Sequence, residues 1–381
     1  AIIIIFLLSL SNNISFGITE VISIPLTDYL YGPLSIVRSS GRLFWIVSYF
    51  IIFLSIYLIH LKFKKKSFFI FVIILVLQLI DTSPGLKSYI LNSNNKIHVV
   101  EIKDKFWKKI EINKINNIVT TNPINYNRYF DKLAYYMETN NINKTNIIKS
   151  ARIDRKKAAI SRYELVDNFS KKNLEKNTLY IIDNKGHLLN LKYIFEKSKV
   201  GFFFKDNIWL MIKDKKDLME NKDKKILNNL KFYKPELSKE KKLNFNDNNN
   251  FIGLGWSHNF NDHGIWSEGK SSSLLFNLEN KKNIFLELNV LPFLNKKNKE
   301  MNVIVFVNGK FNNNLDFKFN KNSVTKRKMV FEIKKENIDG NIINIEFKND
   351  NPKSPYDLRL SPDSRQLNFL LLSFKFFSKN T

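Results

Sequence analysis

Residues 43–61 read LFWIVSYFIIFLSIYLIHL, nineteen positions without a formal charge. An α-helix needs about that length to cross a hydrocarbon core of about 30 Å. A second apolar run, FFIFVIILVLQLI at 68–80, follows after a link that reads KFKKK at 62–66. The pair is expected as two membrane spans, with residues 81–86 carrying the second to the interface. Short lysine-rich loops stay on the cytoplasmic side because clustered positive charge resists translocation. The link is therefore expected inside and everything after Asp81 outside, since long domains translocate whatever their charge. The lipid bilayer is the first expected partner, and the expected address is the inner (cell) membrane, crossed several times.

Working outward toward the start, residues 1–10 read AIIIIFLLSL, with neither the basic lead nor the small-residue cleavage site of a secretory signal. The expectation is a chain that opens inside a transmembrane helix, so that 1–94 are the last helices and an outer loop of a larger multi-pass domain. In that loop Pro25 and Pro33 break any long helix. Arg38 and Arg42 stand four apart at the mouth of the first full span. They are either headgroup-snorkelling residues or a clamp for a lipid-linked phosphate, whose oxygens match guanidinium forks.

Working the other way, residues 95–213 alternate short apolar runs (97–102, 117–120, 146–148, 178–182) with amphipathic stretches at 128–140 and 155–173. Strands alternating with helices predict an α/β domain on a parallel sheet. Residues 200–212 predict a closing hairpin through Lys205-Asp-Asn207. No glycine-rich phosphate loop follows any of these strands, which leaves a nucleotide site without support. Residues 214–250, rich in Lys, Asn and Glu, read as a linker. From 251 to 381 short apolar runs recur at 273–278, 284–290, 303–307, 329–333, 342–347 and 370–376, separated by turn formers. That texture predicts an all-β sandwich of jelly-roll type, with Asn308-Gly309 as a two-residue hairpin turn. The expected fold class is thus a membrane α-helical segment, then an α/β domain, then a β-sandwich.

The chain carries 61 Lys and Arg against 35 Asp and Glu, a formal charge of +26. The basic residues are scattered among Asn and Glu and accompany no recognisable nucleic-acid motif, so no nucleic-acid partner is expected. There are no cysteines, which excludes disulfides, thiolate metal sites and cysteine nucleophiles.

Two stretches resemble known families. IVRSSGRLFW at 36–45, QLIDTSP at 78–84, and the segments LAYY at 133–136 and ARID at 151–154 resemble an uncharacterised family of bacterial multi-pass membrane proteins. That family is related to the C-type glycosyltransferases, which use lipid-phosphate sugars. GWS at 255–257, GIWSEG at 264–269 and SPYDLRLSPDSR at 354–365 are similar to a β-sandwich appended to surface-polysaccharide glycosyltransferases and glycerophosphotransferases. The resemblance implies glycan transfer from a lipid-phosphate donor at the outer face of the inner membrane, with a lipid-linked sugar or surface glycan as partner. The alternative is a non-enzymatic membrane protein that binds glycan or a partner enzyme. C-type enzymes place a catalytic acid in the first outer loop. Asp28 matches no such motif, so no catalytic residue is expected within this chain.

The densest group of functional residue types lies at 255–269. Trp256 and Trp266 could stack on a sugar ring while His258 and Asp262 hydrogen-bond its hydroxyls. The competing reading puts both indoles in the sandwich core. His258, Asp262 and His263 are also zinc-ligand types, so a divalent metal is conceivable, but nothing in their spacing fixes a geometry and no cofactor is expected. Asp363 with Arg365, and Arg359 nearby, read as an Asp–Arg pair holding a turn rather than as catalytic groups.

Overall fold

The computed structural model describes residues 13–16, 19–23, 41–94, 102–111, 115–123, 130–148, 155–243, 250–257, 264–278, 284–320, 326–338, 340–361 and 363–378. It forms two compact units, Ala1–His98 and Val99–Thr381.

In the first unit a short antiparallel hairpin, β1 (Asn13–Phe16) and β2 (Thr19–Ser23), precedes helix α1 (Gly41–Phe63). One 3-10 turn at Lys64–Lys66 leads into helix α2 (Ser67–Asn94). Phe44–Ile90 is one stretch of 47 residues, apolar and long enough to cross a membrane, with a mean hydropathy of 2.1 in its most apolar window. The lysines of the link form the 3-10 turn between the two helices, within that stretch. Its flanks are exposed apolar side chains such as Phe53 and Phe69, the surface a lipid environment would cover. Pro84 lies inside α2 and cannot donate to the Ile80 carbonyl, but the Ser83 hydroxyl donates to that oxygen at 2.7 Å. Such hydroxyl replacement is how apolar helices tolerate proline.

The second unit starts with the α/β part. Strands β3 (Asn117–Thr120), β4 (Lys144–Thr145), β5 (Thr178–Ile182), β6 (Gly201–Lys205) and β7 (Ile208–Ile212) form one sheet in the order β4-β3-β5-β7-β6. The first three are parallel, although the strand expected at 146–148 lies at Lys144–Thr145 instead. Only β7 runs against the others, because the β6–β7 hairpin reverses the chain at Asp206 and Asn207, both with positive φ (48° and 65°). One face is covered by helices α3 (Phe106–Glu111) and α4 (Phe130–Thr139), the other by α5 (Arg155–Ser170), α6 (Lys185–Ile194) and α7 (Asn221–Asn228). Cover on both faces is why β5 reads as a continuous apolar run, all five residues buried. The strand expected at 97–102 falls almost wholly outside the described residues.

Within the stretch expected as a linker, the described residues carry the short helix α7 and strand β8 (Glu240–Lys242). Within α7, Asp223 is buried against the Lys205 ammonium at 3.2 Å, and Lys205 also pairs with Glu220 at 3.0 Å. Strand β8 joins the sandwich beside its last strand.

The sandwich has two antiparallel sheets. One is ordered β10 (Ser271–Asn277), β15 (Ile342–Lys348), β12 (Glu300–Val307), β13 (Lys310–Lys318). The other is β14 (Arg327–Glu332), β11 (Ile284–Pro292), β16 (Leu367–Ser378), β8, with β9 (Ile265–Glu268) also pairing β16. The strict alternation of buried and half-buried positions along β11 is the period-2 signature of a strand with one face inward. The inward faces share one core, in which Phe251, Phe276, Phe374 and Phe376 pack edge-to-face or stacked with ring centroids 4.8–6.0 Å apart. Asn308-Gly309 makes the β12–β13 turn with φ of 52° and 81°, the left-handed pair this dipeptide supplies.

Gly255 has φ of +83°, and a Cβ there would stand 1.9 Å from the Ser271 carbonyl oxygen. Gly255→Ala is expected to cost at least about 1–2 kcal/mol from backbone conformation alone. A lowered urea midpoint for the full chain in detergent, followed by tryptophan fluorescence, is the check.

Candidate functional site

The residues singled out in the sequence fall in different places. Trp256 is buried, 2% exposed; its indole N–H donates to the Ser273 carbonyl at 2.8 Å, and its ring meets Phe347 and Phe369 edge-on. That corrects the sugar-stacking expectation for Trp256: both ring faces are spent on the sandwich core. Trp266, on β9, alternates the other way. Ile265 turns into the core, whereas Trp266 is half-buried with its ring edge-on to Phe293 at 6.2 Å. The two rings make an aromatic ledge at the sandwich edge. His258, Asp262 and His263 lie outside the described residues, as does Arg38; Arg42 falls in the first turn of α1.

The dense polarity of 255–269 finds a different explanation in Glu268. This carboxylate is 1% exposed and pairs with the Arg162 guanidinium of α5 and, at 3.4 Å, with Arg365. It also accepts a hydrogen bond from the Ser257 hydroxyl, to which Arg365 donates at 3.0 Å. Arg365 in turn forks onto Asp363, with contacts of 2.6–3.1 Å. The Asp363–Arg365 pair therefore holds a turn and extends a buried ion cluster across the seam between α/β part and sandwich. Sequence reasoning missed Arg162 and Glu268, because neither has a partner within reach along the chain.

A polar group borders that cluster at the carboxyl ends of β3 and β5. From β3 the chain crosses through α4 to β4 on one side, then back through α5 to β5 on the other, so the strand order reverses between β3 and β5. Ligands of open α/β sheets sit at such reversals. Here the position is filled by Thr121, Asn122, Asp183 and His187. The Asp183 backbone N–H donates to the Thr121 hydroxyl at 3.0 Å, the Asn122 amide donates to the Asp183 carboxylate at 3.3 Å, and Thr121 shares a hydrogen bond with His187 Nδ1 at 3.1 Å. Burial raises the Asp183 carboxyl above its ordinary value. His187 is pushed down to about 3, first by burial and then by the neighbouring Arg162 charge, and so stays neutral.

On the far side of α5 and α6 a cleft of about 410 Å³ runs along the same seam. Its walls come from α5 (Ser170), α6 (Asn190, Tyr193), the edge of the four-stranded sheet (Ser273, Asn344) and the β12–β13 turn (Asn308). Tyr193 donates to the Asn308 side-chain oxygen at 2.9 Å, and the Asn344 backbone N–H donates to the same oxygen at 2.9 Å, which fixes that turn against the helix. No group of three metal-ligating side chains occurs among the described residues.

The model of a family described as a domain of unknown function (DUF6311) matches residues 1–83. No curated protein matches the chain. Among solved structures, CsCBM6-3 from Clostridium stercorarium in complex with cellobiose aligns at 10% identity over 39% of this chain and 100% of its own, with a TM-score of 0.24. A family GH115 4-O-methyl-alpha-glucuronidase, BtGH115A, aligns at 10% identity over 38% of this chain, with a TM-score of 0.25. A cycloisomaltooligosaccharide glucanotransferase from Paenibacillus sp. aligns at 8% identity over 38% of this chain, with a TM-score of 0.22. The aligned part spans less than a fifth of the length of these last two, 18% and 19%. Scores of this size leave the function to be read from the chain's own residues.

Two outcomes test the buried cluster. Glu268→Gln leaves the Arg162 guanidinium without its counter-charge and is expected to cost about 3–5 kcal/mol, against far less for Asp363→Asn at the exposed end. Equilibrium urea unfolding of both variants checks this. His187 takes up its proton on unfolding, where its value returns to 6.5 from about 3. Its contribution is complete above pH 6.5 and is lost as pH falls toward 3, at up to about 1.4 kcal/mol per pH unit. His187→Gln should flatten that part of the slope between about pH 7.5 and 5.

Proposed function

We propose that this chain is a membrane-anchored glycan-binding protein of cell-surface glycan assembly, with the β-sandwich carrying the recognition surface. The supporting observation is the ledge of Trp266 and Phe293, two half-buried rings in edge-to-face contact, one on β9 and one just past β11. A pyranose ring has one face of C–H groups, and an outward indole on a strand is a low-entropy platform for it. The segment bearing His258 and Asp262 leads directly into β9 and supplies hydrogen-bonding residue types for the sugar's hydroxyls. The Phe44–Ile90 stretch supports the anchor, and the lysines at 62–66 support an inner membrane with the second unit outside.

The resemblance at 36–45 supports a wider role, transfer of sugar from a lipid-phosphate donor, in which Arg38 and Arg42 read the phosphate. Arg→Lys at either position keeps the charge and removes the planar fork, so transfer by the full-length protein should drop while membrane insertion stays intact.

The glycan reading is tested with the full chain in nanodiscs on a glycan array. Trp266→Ala is expected to weaken the retained glycans by about 0.5–1.5 kcal/mol, the usual worth of one aromatic contact. An array that retains nothing, or one unchanged by the substitution, would remove the ledge as the recognition surface.

A further inference from the structure

Two of the buried asparagines whose amides the fold leaves partly unmatched meet at the seam cleft. Asn190, 1% exposed, accepts through its side-chain oxygen from the Leu254 backbone N–H at 3.1 Å and from the Ser273 hydroxyl at 2.8 Å. The backbone donor fixes which end of the amide is oxygen, so the opposite end is the NH2 group, and that nitrogen has no partner. On the facing sheet, Asn344 is 8% exposed and its side-chain oxygen also has none. An unmade hydrogen bond at a buried amide costs about 1–3 kcal/mol, and native folds keep few of them. Here one orphaned donor and one orphaned acceptor belong to two side chains that both line the same cleft.

The rest of the lining narrows the occupant. The walls combine amides and hydroxyls (Asn190, Ser273, Asn308, Asn344) with the Tyr193 ring and the apolar Val166, Ile194 and Leu254. That set suits a compact group with several hydroxyls, each both donor and acceptor, and one face of C–H groups. At the rim, Glu346 is already engaged by the Ser271 hydroxyl at 2.7 Å and the Lys348 ammonium at 3.4 Å. Lys172 and Lys197 stand at the same rim with no carboxylate within salt-bridge distance among the described residues. Glu196 also stands at this rim, so the two lysines leave one net positive charge at the mouth.

We propose that this cleft is a second saccharide site, separate from the Trp266 ledge, and that it takes one sugar unit bearing an anionic substituent, a carboxylate or a phosphate. The sugar's hydroxyls satisfy the Asn190 amide N–H and the Asn344 oxygen, and the substituent lies between Lys172 and Lys197. The site does not depend on the ledge reading. It lies between helix and sheet on a different strand edge, and different residues serve it.

The experiment uses the full chain in nanodiscs with gluco, galacto and manno hexoses, each as the neutral sugar, the uronate and the 6-phosphate. Binding is followed by saturation-transfer NMR and calorimetry. At least one charged form should bind more tightly than its neutral parent, by roughly three- to tenfold for two partly exposed cation contacts. The phosphate and uronate arms then decide which substituent is preferred. Lys172→Asn with Lys197→Gln, both surface changes, should reduce the charged form to the level of the neutral one. Asn344→Ala should weaken both forms together. Trp266→Ala should leave all of them unchanged, so the ledge and the cleft can fail separately. Absence of binding by every charged form overturns the proposal, as does equal binding of charged and neutral forms, or binding that survives both the lysine pair and Asn344→Ala.

Discussion

The second unit is organised around one carboxylate. Glu268 lies at the end of a sandwich strand, out of water, and an ion so placed costs several kcal/mol unless charges of opposite sign reach it. The two that do come from far away in the chain, Arg162 on a helix of the α/β part and Arg365 just before the last strand. Satisfying Glu268 therefore fixes where α5 sits against the sandwich. Tyr163, the next residue on α5, accepts the Gln366 backbone N–H at 3.0 Å. Its ring rests on Gly269, where a Cβ would lie 2.7 Å from a ring carbon. A glycine immediately after Glu268 is thus the space that lets the helix come close enough for the ion pair to form.

Much of the fold was legible because it obeys short-range rules. Each of the six apolar runs expected in the sandwich lies mainly within a strand, and both two-residue turns, Asp206-Asn207 and Asn308-Gly309, adopt the left-handed backbone their residue types favour. The failures share a cause. Strand β13, KFNNNLDFK, hides its inward Leu315 and Phe317 among asparagines. Strand β8, EKK, has no apolar residue and exists because β16 offers it an edge. Within 214–250, read as a linker with room for a short helix, the buried Asp223 of α7 is likewise held by a lysine eighteen residues earlier. Period and composition report what a residue does locally; these segments are held by what they meet.

The candidate sites repeat that division. The density of Trp, Ser and His at 255–269 was visible, but the two tryptophans, ten residues apart, serve opposite purposes. Trp256 lies in the core and Trp266 is half-buried, and only strand parity along β9 puts Ile265 rather than Trp266 inward. The ion cluster and the cleft were invisible for a simpler reason. Each is assembled from the α/β part and the sandwich together, and the sequence shows no partner for Arg162, Asn190 or Asn344.

The high lysine and asparagine content is consistent with this economy. Phenylalanine, 33 residues of it, carries the cores, so most lysines are free to stay solvated and contribute little to stability. Asparagine has no such freedom once buried, because each amide brings two donors and an acceptor that must be met. Asn122, Asn312, Asn337 and Asn368 are met by neighbours in the fold. At the seam the helix surface and the sheet edge diverge, and two of the buried amides there keep an atom unmatched. Asn117, Asn277 and Asn295 also keep one unmatched atom each, so what sets Asn190 and Asn344 apart is that both line one cleft, where a donor and an acceptor are left over together.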